Sequence, residues 1–375
     1  MPAIDLSTAA TQAAPRPKRD TALDALRLIA VLLMVASHSS RLIAWDERRE
    51  WSRFSLLIEP LTASLFLVLV GASLAHSWRS SRECGRFPWY RKQATRAAAL
   101  WVVSCVFYTL EDGFRLPDAM TMSGILATIA YTILLVMLLV SSPRPIPVLM
   151  TVSAALIGAH VWLDLRGAKV FVLNAGNSPL LPLSLFACLG ALGALSVESR
   201  SRAVKAAIVT AALLSLAYLL SRHSFTEVFS KPIGRFETSR TLTWMKGGDA
   251  METSVPYYNL KPILVPVISS LIVLLYAVLA WLRPLLDRSA RFLLPLGRHS
   301  LDVYILHLFL LAMLVLRGGK RPLHQAWQGD AVILAVLAIC YGWVLLRERF
   351  PLRRRGMAGS LKVAGPDEEA QREIA

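Results

Sequence analysis

The sequence predicts an all-α polytopic membrane protein, a bundle of about ten transmembrane helices. Three observations carry that expectation. Of the 375 residues, 55% are hydrophobic, the mean hydropathy is +0.50 and only 18% are charged, where a soluble domain carries about 25% charged residues. The apolar residues gather in blocks of roughly twenty, the length a helix needs to cross a hydrocarbon layer of about 30 Å. The basic residues sit between the blocks rather than within them.

The blocks run in order along the chain. The first, 23–44, follows a polar, Ala/Pro-rich segment, 1–22, that lacks the pattern of a cleavable signal. The second, 56–78, contains FLVLVGASL, where Gly71 and Ser73 are small enough to let helices approach closely. The third and fourth cover 94–112 and 121–141. The fifth and sixth, 145–164 and 179–197, are preceded by SSPRP and NSPLLP, whose prolines suit helix starts. The seventh, 203–221, leads into the only sizeable loop, 222–261. Spans 262–283, 293–316 and 329–347 complete the bundle, and 351–375 reads as a disordered tail. The expected domain organisation is therefore a cytoplasmic N-terminal segment 1–22, a membrane domain 23–350 with an extracytoplasmic loop 222–261, and a cytoplasmic tail 351–375.

Orientation follows from the basic loops. PRPKR, the segment 79–96, VESRSRAVK, RPLLDRSAR and RERFPLRRR all fall on one side, which the positive-inside rule places in the cytoplasm together with both termini. The net charge of +16 is accounted for by this pattern and by contacts with anionic lipid, so nucleic-acid binding is not expected. Cys84, Cys105, Cys188 and Cys340 show no metal-ligand or CxxC spacing, and neither a disulfide framework nor a metal site is implied.

Ionisable groups inside spans are costly and mark function by default. The stretch RLIAVLLMVASH carries two, Arg27 and His38. Eleven helical steps of about 100° leave them within about 20° of each other and roughly 16 Å apart along the axis. Asp24, three residues before Arg27, can pair with it on the same face. A second group lies in LGRHSLDVYILH, where Ser300, Tyr304 and His307 share one face at i, i+4 and i+7, and Arg298 and Asp302 are spaced to pair on another. Arg79, Arg91, Lys92 and Arg96 in the basic loop can bind a phosphorylated cofactor. Positive-inside topology accounts for them equally well.

The stretches LDALRLIAVLLMVASH, ASLFLVLVGASLAHSW, SGILATIAYTILL, SPLLPLSLFACLGALGAL and LGRHSLDVYILHLFLL occur in the order of an integral membrane acyltransferase. The Arg-x10-His of the first span resembles the motif of acyltransferase family 3. The fuller pattern is similar to the catalytic domain of heparan-alpha-glucosaminide N-acetyltransferase-like bacterial proteins. Leu28 stands where these families commonly have a glycine after the arginine. The resemblance implies transfer of an acyl group, acetyl first of all, from cytoplasmic acetyl-CoA or another acyl-CoA to a hydroxyl or amine of an envelope saccharide or glycolipid. It implies His38 as general base, Arg27 and Asp24 toward the donor, Arg79, Arg91, Lys92 and Arg96 on the CoA phosphates, and Ser300, Tyr304 and His307 on the substrate. It also implies a multi-pass protein of the inner membrane. The residues alone leave two alternatives open, a proton-coupled transporter or glycan exporter using Asp24, Arg27 and His307, and a non-catalytic scaffold in which His38 is a packed interface residue.

Overall fold

The computed structural model describes residues 20–40, 49–81, 86–112, 116, 118–121, 124–168, 170, 173–174, 179–197, 264–289, 292–318, 323 and 325–350. These residues form helices and no strand, the all-α architecture of a membrane protein. The predicted span 203–221, the loop 222–261 and the terminal segments 1–19 and 351–375 lie outside the described residues, as does Cys84.

Helix α1, Thr21–Ser40, is the axis of the bundle. Asp20 starts it: one carboxylate oxygen accepts the Ala22 N–H at 3.0 Å, satisfying a donor that the first turn otherwise leaves orphaned. Ala25, Leu26, Ala30, Val31 and Val35 are all buried, so α1 is enclosed on nearly every side, and the face with Asp24, Arg27 and His38 lies inside the bundle. Helix α2, Arg49–Ser81, runs antiparallel to it, with Ser73 beside Arg27 and Thr62 and Phe66 beside His38.

Helices α3, Arg86–Asp112, α4, Asp118–Thr121, and α5, Ile125–Val140, follow. Trp78 and Trp89 meet with ring centres 4.8 Å apart, and Trp89 donates to Ser77 Oγ at 3.0 Å, fastening the start of α3 to the end of α2. Helix α5 begins at Gly124, whose φ of 108° is open only to glycine at low cost. Helix α6, Pro145–Leu165, opens on the predicted proline. It ends where the Ala168 N–H bonds the Leu163 carbonyl at 3.0 Å across Gly167 in the left-handed region.

Helix α7, Leu180–Val197, makes the most extensive helix packing among the described residues, against α2. A side chain at Gly71 would overlap the Ala187 carbonyl, and one at Gly190 would overlap that of Val68. The packing role expected of Gly71 is therefore the one it fills. Ser73, read alongside it as a spacer, instead meets Arg27.

The last part comprises α8, Leu264–Trp281, α9, Arg283–Ser289, α10, Leu294–Arg298, α11, Ser300–Gly318, and α12, Ala326–Arg349. All five pack on α1. The predicted span 293–316 is interrupted at His299, and the cause is tertiary. Gly297 lies against the α1 backbone at Asp24 and Leu28, so α10 is seated on α1 before α11 sets off on its own course. The interruption also removes the expected Arg298–Asp302 pair. Arg298 turns toward Asp24, while Asp302 joins His299 and Arg347.

Among the described residues, four segments are by themselves long and apolar enough to cross a membrane: Thr21–Ser39, Leu61–Ser81, Pro145–Leu165 and Trp327–Arg349. Ile125–Val140, Leu180–Ser196, Val265–Trp281 and Ser300–Val315 are apolar but shorter. The predicted span 94–112 forms the later part of α3, which opens with Arg86, Arg91 and Lys92 and carries Arg96 near the start of the span. Pro145–Leu165 and Trp327–Arg349 are each only 22% buried within the protein and offer their apolar sides to lipid.

Candidate active site

The polar groups of the bundle fall into two stations on α1. At the first, Arg27 donates from Nη1 to Asp24 Oδ1 at 2.7 Å and from Nη2 to Ser73 Oγ at 2.9 Å. Arg298 donates from Nε to the other carboxylate oxygen of Asp24 at 3.3 Å. Asp24 is buried at 5% exposure, and a buried carboxylate requires this kind of partnering. Two guanidinium groups thus share one carboxylate, which leaves a surplus positive charge. The expected Asp24–Arg27 pair is present, and Arg298 and Ser73 join it from distant parts of the chain.

The basic segment contributes unevenly. Arg79 donates to the Leu195 carbonyl at 3.3 Å, closing the last turn of α7. Arg91, Lys92 and Arg96 lie on the exposed face of α3, and Arg96 is within electrostatic range of Arg27. His76 is within range of Arg79, Asp20 and Arg27, a neighbour that the pattern of the sequence did not single out.

At the second station, His38 Nδ1 and His307 Nε2 are 2.8 Å apart. Their ring centres are 5.1 Å apart and the planes differ by 13°. The second nitrogen of His307 lies 3.1 Å from the Val303 carbonyl, one helical turn back. Tyr304 stands edge-on to both rings, at 6.4 Å from His38 and 5.4 Å from His307. Ser300, on the same face of α11, is half-buried near the helix start and does not reach this cleft.

The cleft itself is narrow, with room for about 20 Å³, and lies between α1, α2, α5 and α11. His38, Tyr304, Ser37 and Thr62 supply its polar atoms; Met34, Ala63, Phe66, Ile125 and Ile129 supply the apolar wall. Such a mixture of an apolar wall and a few convergent polar groups is the usual character of a small-molecule site. The α2 and α5 residues of the wall carry no local sequence signal, because their only distinguishing property is what they face.

The acyltransferase domain family matches residues 20–347 of the chain. That range contains both stations and every helix except the end of α12. A search of curated proteins finds no match. The chain belongs to acyltransferase family 3, a family of integral membrane acyltransferases.

Proposed function

We propose that this membrane acyltransferase carries an acyl group, acetyl first of all, from acyl-CoA at the Asp24 end of α1 to a hydroxyl or amine of an envelope saccharide near the His38 end. The protein would sit in the inner membrane with both termini in the cytoplasm, so that the Asp24 end faces the donor. The observation that carries this reading is the placement of two unlike stations along one helix, a cation-rich cluster and a cleft with a histidine pair.

At the donor station the surplus charge of Arg27 and Arg298 over Asp24 fits the phosphates of acyl-CoA, with Arg96 and the exposed Arg91 and Lys92 adding long-range attraction. Arg79 supports the station indirectly by holding the end of α7. Bound there, acyl-CoA supplies an acyl thioester already activated for transfer.

At the acceptor station His38 takes the proton of the hydroxyl or amine as its oxygen or nitrogen attacks the thioester carbonyl; the C–S bond breaks, and the departing CoA thiolate takes the proton, returning His38 to its neutral form. A base positioned in this way contributes about 10²–10⁴-fold. The hydroxyls of Ser37, Thr62 and Tyr304 line the same cleft and can orient the acceptor. The test is to incubate the purified protein with labelled acetyl-CoA and extracted envelope glycans and to weigh the products. His38→Ala should lose at least about a hundredfold in transfer at unchanged protein level. Retained transfer in His38→Ala removes His38 from the chemistry.

A further inference from the structure

The hydrogen-bond chain through His307 determines which nitrogen of His38 is basic. A backbone carbonyl can only accept, so the His307 Nδ1 that faces the Val303 oxygen at 3.1 Å carries a hydrogen. The His307 ring is fully buried inside a membrane helix, and no carboxylate among the described residues pairs with it. A charged imidazolium is strongly disfavoured there. The ring is therefore neutral, and its Nε2 is an acceptor. His38 Nδ1 meets that acceptor at 2.8 Å, so the hydrogen between the two rings belongs to His38. The lone pair of His38 then resides on Nε2.

The ring geometry agrees. Ring centres 5.1 Å apart, with nitrogens at 2.8 Å and planes inclined by only 13°, describe two rings joined edge to edge by a bond lying in both planes. Rings stacked face to face could not bring single atoms so close while keeping their centres so far apart.

We propose that His307 is the positioning residue of the acyl transfer: it pins the His38 ring and holds it in the tautomer whose Nε2 is the base. This rests on the reading of His38 as general base. The part is the one that a carboxylate plays beside the histidine of a Ser-His-Asp triad, here given to a neutral group that an apolar bundle can bury at lower cost. With both nitrogens engaged and no exposed surface, His307 acts through His38 rather than by touching the substrate. When His38 Nε2 gains the acceptor's proton, the Nδ1 hydrogen stays on His38, because the buried His307 ring is a poor place for a charge. The 2.8 Å bond to the neutral His307 Nε2 then becomes charge-assisted and steadies the imidazolium.

Two substitutions and one spectrum test this. His307→Leu removes the acceptor and keeps an apolar volume; His307→Gln keeps an amide oxygen within reach of His38 Nδ1. In lipid nanodiscs, His307→Leu should lower kcat by about 10²–10⁴-fold, with KM for acetyl-CoA changed by less than about threefold, since the donor station is untouched. His307→Gln should recover at least about tenfold of that loss. Nitrogen-15 spectra of histidine-labelled protein, assigned by the signals that vanish in His38→Ala, should show His38 with hydrogen on Nδ1. In His307→Leu they should show a mixture of tautomers. Transfer within about threefold of wild type in His307→Leu overturns the proposal, as does equal loss in both variants or a wild-type His38 protonated at Nε2. Transfer retained in His38→Ala overturns instead the general-base reading beneath it. The nitrogen spectrum, which needs no acyl transfer, tells the two failures apart.

Discussion

Gly297→Ala probes the contact on which the whole site depends. The added methyl group would overlap the carbonyl oxygen of Asp24, approach the backbone nitrogen of Leu28 to 2.9 Å and stand 3.4 Å from Arg27 Cβ. The two nearest neighbours are backbone atoms of a helix held from several sides, so no side-chain rotation relieves the clash and α10 has to back away from α1. Overpacking of this kind costs about 1–3 kcal/mol. The better helix propensity of alanine returns up to about 1 kcal/mol, leaving a net loss of up to about 2 kcal/mol. Thermal unfolding in detergent should show a drop of a few degrees.

The functional effect should exceed the stability effect. Arg298 is the last residue of α10, and His307 lies on the helix that follows. Withdrawal of α10 therefore strains both the 3.3 Å bond to Asp24 and the 2.8 Å bond to His38. A misplacement on the order of 1 Å can cost about a hundredfold in rate. Gly342→Ala is the matched control, because a side chain there meets open space. It should leave both melting and transfer unchanged or slightly improved. If Gly297→Ala behaves like Gly342→Ala in both assays, α10 is not seated on α1 as described and the reasoning fails.

Two further substitutions separate the stations. Arg27→Lys keeps the charge but lacks the guanidinium fork that grips a phosphate bidentately; losing one charge-assisted bond to the donor, about 1.5 kcal/mol, should raise KM for acetyl-CoA about tenfold. An unchanged KM would take Arg27 out of donor binding. Ile129→Ala enlarges the apolar wall beside His38. The preference for butyryl-CoA over acetyl-CoA, measured in direct competition, should rise about tenfold, the worth of a methylene or so in a pocket. An unchanged ratio would mean that the acyl group does not enter this cleft.

How much of this was legible in the chain depends on the reach of each interaction. The Asp24–Arg27 pair spans three residues on one helix and follows from helical spacing alone. The shared face of Arg27 and His38 follows in the same way. Pro145 at the start of α6 and the packing role of Gly71 were legible for similar local reasons. The start of α1 was placed at residue 23, two residues late, because the N-cap signal of Asp20 went unread. Arg298 shows where local reading stops. Its spacing from Asp302 allowed a pair, but its partner is Asp24, 274 residues away.

The sequence by itself determined the membrane class, the helical architecture, the family and the pairing of Arg27 with His38 on one face. All of these rest on composition and on spacings within single helices, which hydrogen bonding in lipid makes regular. Only the tertiary structure decided the rest. It broke the ninth predicted span at His299 by seating Gly297 on α1, gave Asp24 a second arginine, and enclosed the cleft with residues of α2 and α5. It also turned His307 from a residue sharing a face with Tyr304 into the partner of His38, 269 residues distant. The physical reason is the same in each case. A periodic pattern states which residues share a side of one helix, whereas which helix comes to lie against that side depends on how closely two backbones can approach, and that is set where Gly71, Gly190 and Gly297 meet their neighbours.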